Sequence, residues 1–152
     1  MHLFLFAGFL GSGKTTLILA LAGRAAAAGR RIAVVVNEVG EVGIDGEVLR
    51  MGDLEVKEIT GGCICCQIGP DLVRTLHELE AGFRPHLVIV EASGIAAPPG
   101  VLGALKYFPA EKLDGIDTVT VVDAARFGEL YEVITPLLDS QIVAADRVAI
   151  TK

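Results

Sequence analysis

The chain has no tryptophan, only two tyrosines and six phenylalanines, and its three cysteines all fall between positions 63 and 66. With so few aromatics there is no stacking platform of the kind RNA-binding modules use. Cys63, Cys65 and Cys66 are odd in number and crowded, a poor disulfide framework, and a bridge between adjacent Cys65 and Cys66 would be strained. Reduced thiols in a cytoplasmic compartment are the expected state. Basic charge is also scarce. Thirteen Lys and Arg against nineteen Asp and Glu leave a net charge of −6, and only Arg30 and Arg31 are adjacent. That balance argues against non-specific nucleic-acid binding, which needs cations to neutralise phosphates. Missing too is any apolar run of the roughly 20 residues that a membrane-spanning helix requires. The uncharged start, Met1–Gly13, is broken by three glycines and ends at Lys14. It offers only His2 where a signal peptide carries basic residues. The expectation is a cytoplasmic protein with neither a nucleic-acid nor a membrane partner.

Apolar residues, at 52% of the 152, are abundant enough for one domain with a sizeable core. They gather in short β-branched runs, as strands of a parallel sheet buried on both faces do. Leu3–Ala7, Ile32–Val36, His86–Val90, Thr118–Val122 and Arg147–Thr151 read as five core strands, with Glu55–Ile59 as a short edge strand or hairpin arm. Between them lie helical patterns. Lys14–Ala28 places Leu17, Ile18, Leu21, Ala22 and Ala25 on one face and stops at Gly29. A second helix opens near Pro70, shows Leu72, Val73, Leu76 and Leu79 on one face, and ends at Gly82. Ala96–Gly100 reads as a loop before a short helix to Lys106, and Leu137–Ala145 as the last helix. This alternation predicts a three-layer α/β fold with a mainly parallel sheet and right-handed crossovers. Ending on Thr151-Lys152, directly after a strand, the chain reads as a domain cut after about its fifth core strand.

Gly8-Phe-Leu-Gly11-Ser12-Gly13-Lys14-Thr15 satisfies the phosphate-loop pattern G-x-x-x-x-G-K-[ST], with a strand before it and a helix after it. Glycines let the backbone turn several N–H groups onto one anion, and the following helix adds its positive end. Lys14 is expected to neutralise the β- and γ-phosphates, and Thr15 to offer its hydroxyl to Mg²⁺. Glu91, where the third core strand ends in Glu91-Ala-Ser-Gly94, stands where such enzymes carry the acid that holds Mg²⁺ or its waters. Gly94 can bring a backbone N–H to the γ-phosphate. The motif alone does not choose GTP over ATP.

Two further segments carry chemistry. Asn37–Gly46 follows the second strand, where ligands of such sheets bind, and brings Glu38, Glu41 and Asp45 there. One of them would hold Mg²⁺ or orient the attacking water, with Asp45 the choice for the water. Gly62-Cys63-Ile-Cys65-Cys66 supplies soft ligands for Zn²⁺ or another transition ion, but three thiols so close do not readily close a tetrahedral site. A fourth ligand is expected from Glu38, Glu41 or His77. His2 and His86 read as ordinary N-terminal and strand-edge residues.

Taken in order, Gly8–Thr16, Asn37–Asp45, Gly62–Cys66 and Glu91–Gly94 resemble the CobW-type metallochaperone GTPases, SIMIBI-class phosphate-loop proteins related to the urease and hydrogenase nickel-insertion GTPases. Val119–Ala124 and Ser140–Asp146 are similar to that family as well. The resemblance implies GTP, slow hydrolysis, and handling of Zn²⁺, Co²⁺ or a similar ion for a client metalloprotein, with pairing into a homodimer in some relatives. Cobalamin biosynthesis or a zinc-dependent enzyme would be the destination. It places Cys65 and Cys66, with Glu38 and Glu41, at the metal, and makes Glu91 the family's acid. Thr16, after Thr15, completes the loop's motif. Thr151-Lys152 begin the base-reading motif [NT]-K-x-D, whose Asp would follow Lys152; that Asp and the usual C-terminal domain lie outside this sequence. Two other readings stand beside this one: a non-enzymatic metal- or thiol-binding module on the same fold, and an ATP-using phosphate-loop enzyme.

Overall fold

The computed structural model describes residues 1–36, 53–58 and 68–152. The elements run β1 (His2–Ala7), α1 (Lys14–Ala27), β2 (Ile32–Val36), β3 (Leu54–Glu58), α2 (Ile68–Ala81), β4 (Leu87–Glu91), α3 (Pro98–Leu105), β5 (Gly115–Asp123), α4 (Phe127–Val143) and β6 (Arg147–Thr151), with a 3₁₀ turn at Ala110–Lys112. The strands form one sheet in the order β3-β2-β4-β1-β5-β6. Every neighbouring pair is parallel. The phosphate-loop α/β fold is therefore present, and the segment expected as edge strand or hairpin arm is the parallel edge strand β3.

Period-two alternation divides the core between the two faces of the sheet. On one face Leu3, Leu5, Ala33, Val35, Val88 and Val90 pack with Leu72, Leu76 and Leu79 of α2 and with Val101 and Leu105 of α3. On the other, Phe6, Ile32, Val34, Val36, Ile89, Val119 and Val121 pack with Ile18 and Ala22 of α1. Adjacent residues of β2 thus alternate between two cores, which is why that strand reads as an unbroken apolar run. α1 buries Ile18 and Ala22 of its predicted face but leaves Leu21 41% exposed, because a single stripe meets the sheet.

Three boundaries differ from expectation. α3 starts at Pro98, inside the segment expected to be a loop, because proline is tolerated in the first turn, where N–H groups have no partner within the helix. β5 starts at Gly115, three residues ahead of Thr118, whereas α2 carries Pro70 in its first turn, as expected. The last helix begins at Phe127, ten residues ahead of Leu137. Gly128 and Pro136 weaken its helical signature, and the structure accommodates Pro136 by a kink in which Ile134 takes φ −127° and ψ 34°.

Two substitutions test this account. Leu76, fully buried between α2 and the sheet, should lose about 2–5 kcal/mol as Leu76→Ala. Gly23 lies mid-helix in α1 with nothing within 4 Å of an added Cβ, so Gly23→Ala should gain roughly 0.5–1 kcal/mol. Urea unfolding would read both.

Candidate nucleotide site

The loop between β1 and α1 opens beside the carboxyl ends of the two central strands, β4 and β1, where ligands of parallel sheets bind. Three of its glycines hold positive φ: Gly8 at 139°, Gly11 at 72° and Gly13 at 91°. Gly8 has a second reason to lack a side chain, since a Cβ there would lie 2.3 Å from the Val121 carbonyl oxygen. Gly13 caps α1 without any side-chain hydrogen bond, and the helix's first turn carries no acid. The first-turn N–H groups and the positive end of the helix are therefore presented to whatever anion the loop receives.

Lys14, 7% exposed, directs its ammonium back to the Phe9 carbonyl oxygen at 3.2 Å. Burial pulls that ammonium below the usual lysine value, and nearby Glu91 only partly opposes the shift. Next to it, the Thr15 hydroxyl donates to Glu91 Oε1 at 2.8 Å. Burial pushes the Glu91 carboxyl up, against the Thr15 hydrogen bond and the Lys14 charge. The register explains the meeting. Phe6 of β1 lies opposite Glu91 of β4, so the loop leaving β1 passes over the end of β4. Two hard oxygen donors at this spacing fit a small divalent cation such as Mg²⁺, and an under-neutralised ammonium fits phosphate.

A loop outside regular secondary structure leaves its carbonyls without ladder partners, and these need donors. All four are met. The Phe9 oxygen accepts from Lys14 and from the Ser12 N–H. Arg126 Nη2 donates to the Leu10 oxygen at 3.0 Å and Lys152 Nζ to the Gly11 oxygen at 2.6 Å. Thr151 Oγ1 donates to the Ser12 oxygen at 2.7 Å. Buried Asp123, at the end of β5, aligns the two cations, accepting from Arg126 Nε at 2.8 Å and Lys152 Nζ at 3.2 Å. Those cations hold its carboxyl below the usual range. Thr151 and Lys152, expected at the base, thus lie against the outside of the phosphate loop. Asp123 and Arg126 had no role from sequence; the only signal for Asp123 was the family likeness of Val119–Ala124, and Arg126 had none.

Gly94 is buried beneath Leu10, and a Cβ there would lie 2.7–2.8 Å from Leu10 atoms. Thr16 is exposed on the first turn of α1. His77 sits on α2 with its ring on Phe108, 4.8 Å between centroids. Glu38, Glu41, Asp45, Cys63, Cys65 and Cys66 lie outside the described residues. Among the described residues no three His, Cys, Asp or Glu side chains cluster as metal ligands, and no helix is long and apolar enough to cross a membrane. His2 has a partner that its plain reading did not anticipate: Asp117 Oδ2, 2.6 Å from its Nε2. His86 precedes β4 and accepts the Arg31 N–H through Nδ1.

Residues 2–152 match the family described as CobW/HypB/UreG, nucleotide-binding domain. The chain belongs to that family. It is 34% identical over 176 residues to the zinc chaperone CobW of Sinorhizobium sp, covering 95% of this chain and 49% of that protein. It is 35% identical to the zinc chaperone YeiR of Escherichia coli K12, covering 97% of this chain and 45% of YeiR. A crystal structure of a Zn(II)-bound triple mutant of the YjiA GTPase superposes over the whole chain and 49% of its own, with a TM-score of 0.71 and 26% identity. The chain spans about half the length of these two relatives.

The Glu91 environment makes a pH prediction. Its folded carboxyl holds a proton more tightly than the unfolded one, so its contribution favours folding in acid and is lost as pH rises through its elevated value. In chelator, the denaturation midpoint of the wild type should fall relative to that of Glu91→Gln from the ordinary carboxylate range toward neutrality. A constant gap would contradict this.

Proposed function

We propose that the protein carrying this chain is a GTP-binding, slowly GTP-hydrolysing metallochaperone that couples its nucleotide state to binding or delivery of a transition ion. The observation that supports nucleotide binding best is the buried Lys14 ammonium beside the Thr15–Glu91 pair, under a loop of three positive-φ glycines. A polyphosphate would supply the negative charge that Lys14 lacks, and the α1 N-terminus would add its partial charge. Family membership and GTPase-named YjiA support GTP. The zinc-chaperone names of CobW and YeiR support zinc as cargo, with Co²⁺ the alternative.

In this reading Gly8, Gly11, Ser12, Gly13, Lys14, Thr15 and Thr16 cradle the phosphates. Thr15 and Glu91 would hold Mg²⁺, which when bound supplies charge neutralisation at the β- and γ-oxygens. Lys14 neutralises charge developing on the transferred phosphoryl group. Asp45 orients the attacking water, and the Gly94 N–H contacts the γ-phosphate, so hydrolysis removes one partner of the Gly94 loop. Lys152, its ammonium on the Gly11 oxygen and Asp123, would lay its alkyl stem along the base. Cys63, Cys65 and Cys66, with Glu38 and Glu41, receive the cargo ion, thiolates suiting Zn²⁺. Partners are the nucleotide, the ion and a client metalloprotein, in the cytoplasm.

Coupling of two sites is reciprocal, so nucleotide must change zinc affinity by the factor by which zinc changes nucleotide affinity. Zinc titrations with GDP and with a non-hydrolysable GTP analogue should differ by roughly 5–150-fold. Lys14→Ala should erase both that difference and GTP turnover. Equal zinc affinity in the two nucleotide states would overturn the coupling, and preferred turnover of ATP in competition would overturn the choice of base.

A further inference from the structure

Gln141 is fully buried on α4, far along the chain from the phosphate loop, yet it touches the segment that carries Gly94. Its Nε2 donates to the Gly94 carbonyl oxygen at 3.3 Å and to the Ala96 oxygen at 3.1 Å. Both loop residues are themselves buried, so their carbonyls need donors that water does not supply. The amide orientation follows from chemistry, because the flipped amide would set Oε1 against two carbonyl oxygens. In the orientation adopted, Oε1 has no hydrogen-bond partner among the described residues. A side chain chosen for packing alone would be apolar there and would avoid that penalty. Gln141 accepts it while satisfying one particular loop.

The contacts fix what matters about that loop. The peptide plane preceding Gly94 is held by the Ala96 N–H, which donates to the Ser93 oxygen at 2.8 Å. The plane following Gly94 is held by Gln141. Leu10 of the phosphate loop closes the third side, leaving no room for a Cβ on Gly94. Gln141 is in turn anchored through its own carbonyl, which accepts the Thr120 hydroxyl of β5 at 2.6 Å. It lies beyond the kink at Ile134, in the half of α4 separated from the Arg126–Asp123 pair at the other end.

We propose that Gln141 is a positioning residue. It holds the Gly94 loop in the conformation that receives the γ-phosphate, and it ties that loop, and with it the nucleotide state, to the second half of α4. The inference rests on the reading of Gly94 as the γ-phosphate contact.

The test combines a nucleotide-free and a nucleotide-bound measurement. Gln141→Met keeps length and approximate volume but removes both donors, and Thr120→Val removes the anchor with little change of shape. In nucleotide-free protein, amide hydrogen exchange over residues 94–97 should accelerate in Gln141→Met while exchange in α1 stays unchanged. Affinity for the Mg²⁺ complex of a non-hydrolysable GTP analogue should fall about tenfold, equivalent to about 1.4 kcal/mol, while GDP affinity is little altered. Thr120→Val should show the same pattern more weakly. A merely structural role would weaken both nucleotides equally, and that result, or unchanged loop exchange, would overturn the proposal. Faster loop exchange in a protein whose wild type binds GDP and the analogue equally would identify Gly94's γ-phosphate role as the failed step. The coupling would fall with it, and the Lys14 reading would stand.

Discussion

Everything at the nucleotide site depends on one backbone constraint, the turn from β1 into α1 that gathers its N–H groups on one side. Positive φ at Gly8, Gly11 and Gly13 makes that turn achievable. Its consequence is a row of carbonyls at Phe9, Leu10, Gly11 and Ser12 outside any strand or helix, each of which needs a donor. The donors come from Lys14, Arg126, Lys152 and Thr151, and the last three bring the ends of β5 and β6 against the loop. Asp123 makes that arrangement electrostatically tolerable by placing a buried carboxylate between two cations. The loop and the far side of the sheet are thus parts of one hydrogen-bonded unit.

The same constraint sets the electrostatics inside. Turning the loop over the end of β4 buries Lys14 and Glu91 together, and each is penalised in its charged form. Neither charge is fully met by the other. Such a pair adds little stability by itself and is better understood as charge arranged for a ligand that carries several negative oxygens and a cation.

Much of this could be read from residues in order, and the reasons are physical. Strands buried on both faces announce themselves as apolar runs, so β1, β2 and β4 were legible to within a residue or so; β6 was legible from its β-branched composition, although at the sheet edge it leaves Val148 and Ile150 exposed. Phosphate-loop chemistry is local in sequence, so Lys14 and Thr15 could be named, and Glu91 could be placed because strand ends converge in a parallel sheet. Non-local partners left no such signature. Asp123 and Gln141 owe their roles to β5 and α4 passing behind the loop, and beyond the family likeness of Val119–Ala124 and Ser140–Asp146 nothing in their immediate neighbours foretells it. The first half of α4 was obscured by Gly128 and Pro136, whose helix-breaking tendency is absorbed in a kink at Ile134. Pro98, read as loop, is a helix start.

The central claim is that Gly8–Thr15 and Glu91 form a ready-made site for a Mg²⁺-triphosphate. A crystal structure with Mg²⁺ and a non-hydrolysable GTP analogue tests it most directly. The account predicts the β-phosphate inside the Gly8–Thr15 turn, Lys14 swung from the Phe9 oxygen onto the phosphates, and the Thr15–Glu91 hydrogen bond replaced by the ion and its waters. A nucleotide bound elsewhere, with the Lys14–Phe9 and Thr15–Glu91 contacts intact, would contradict it.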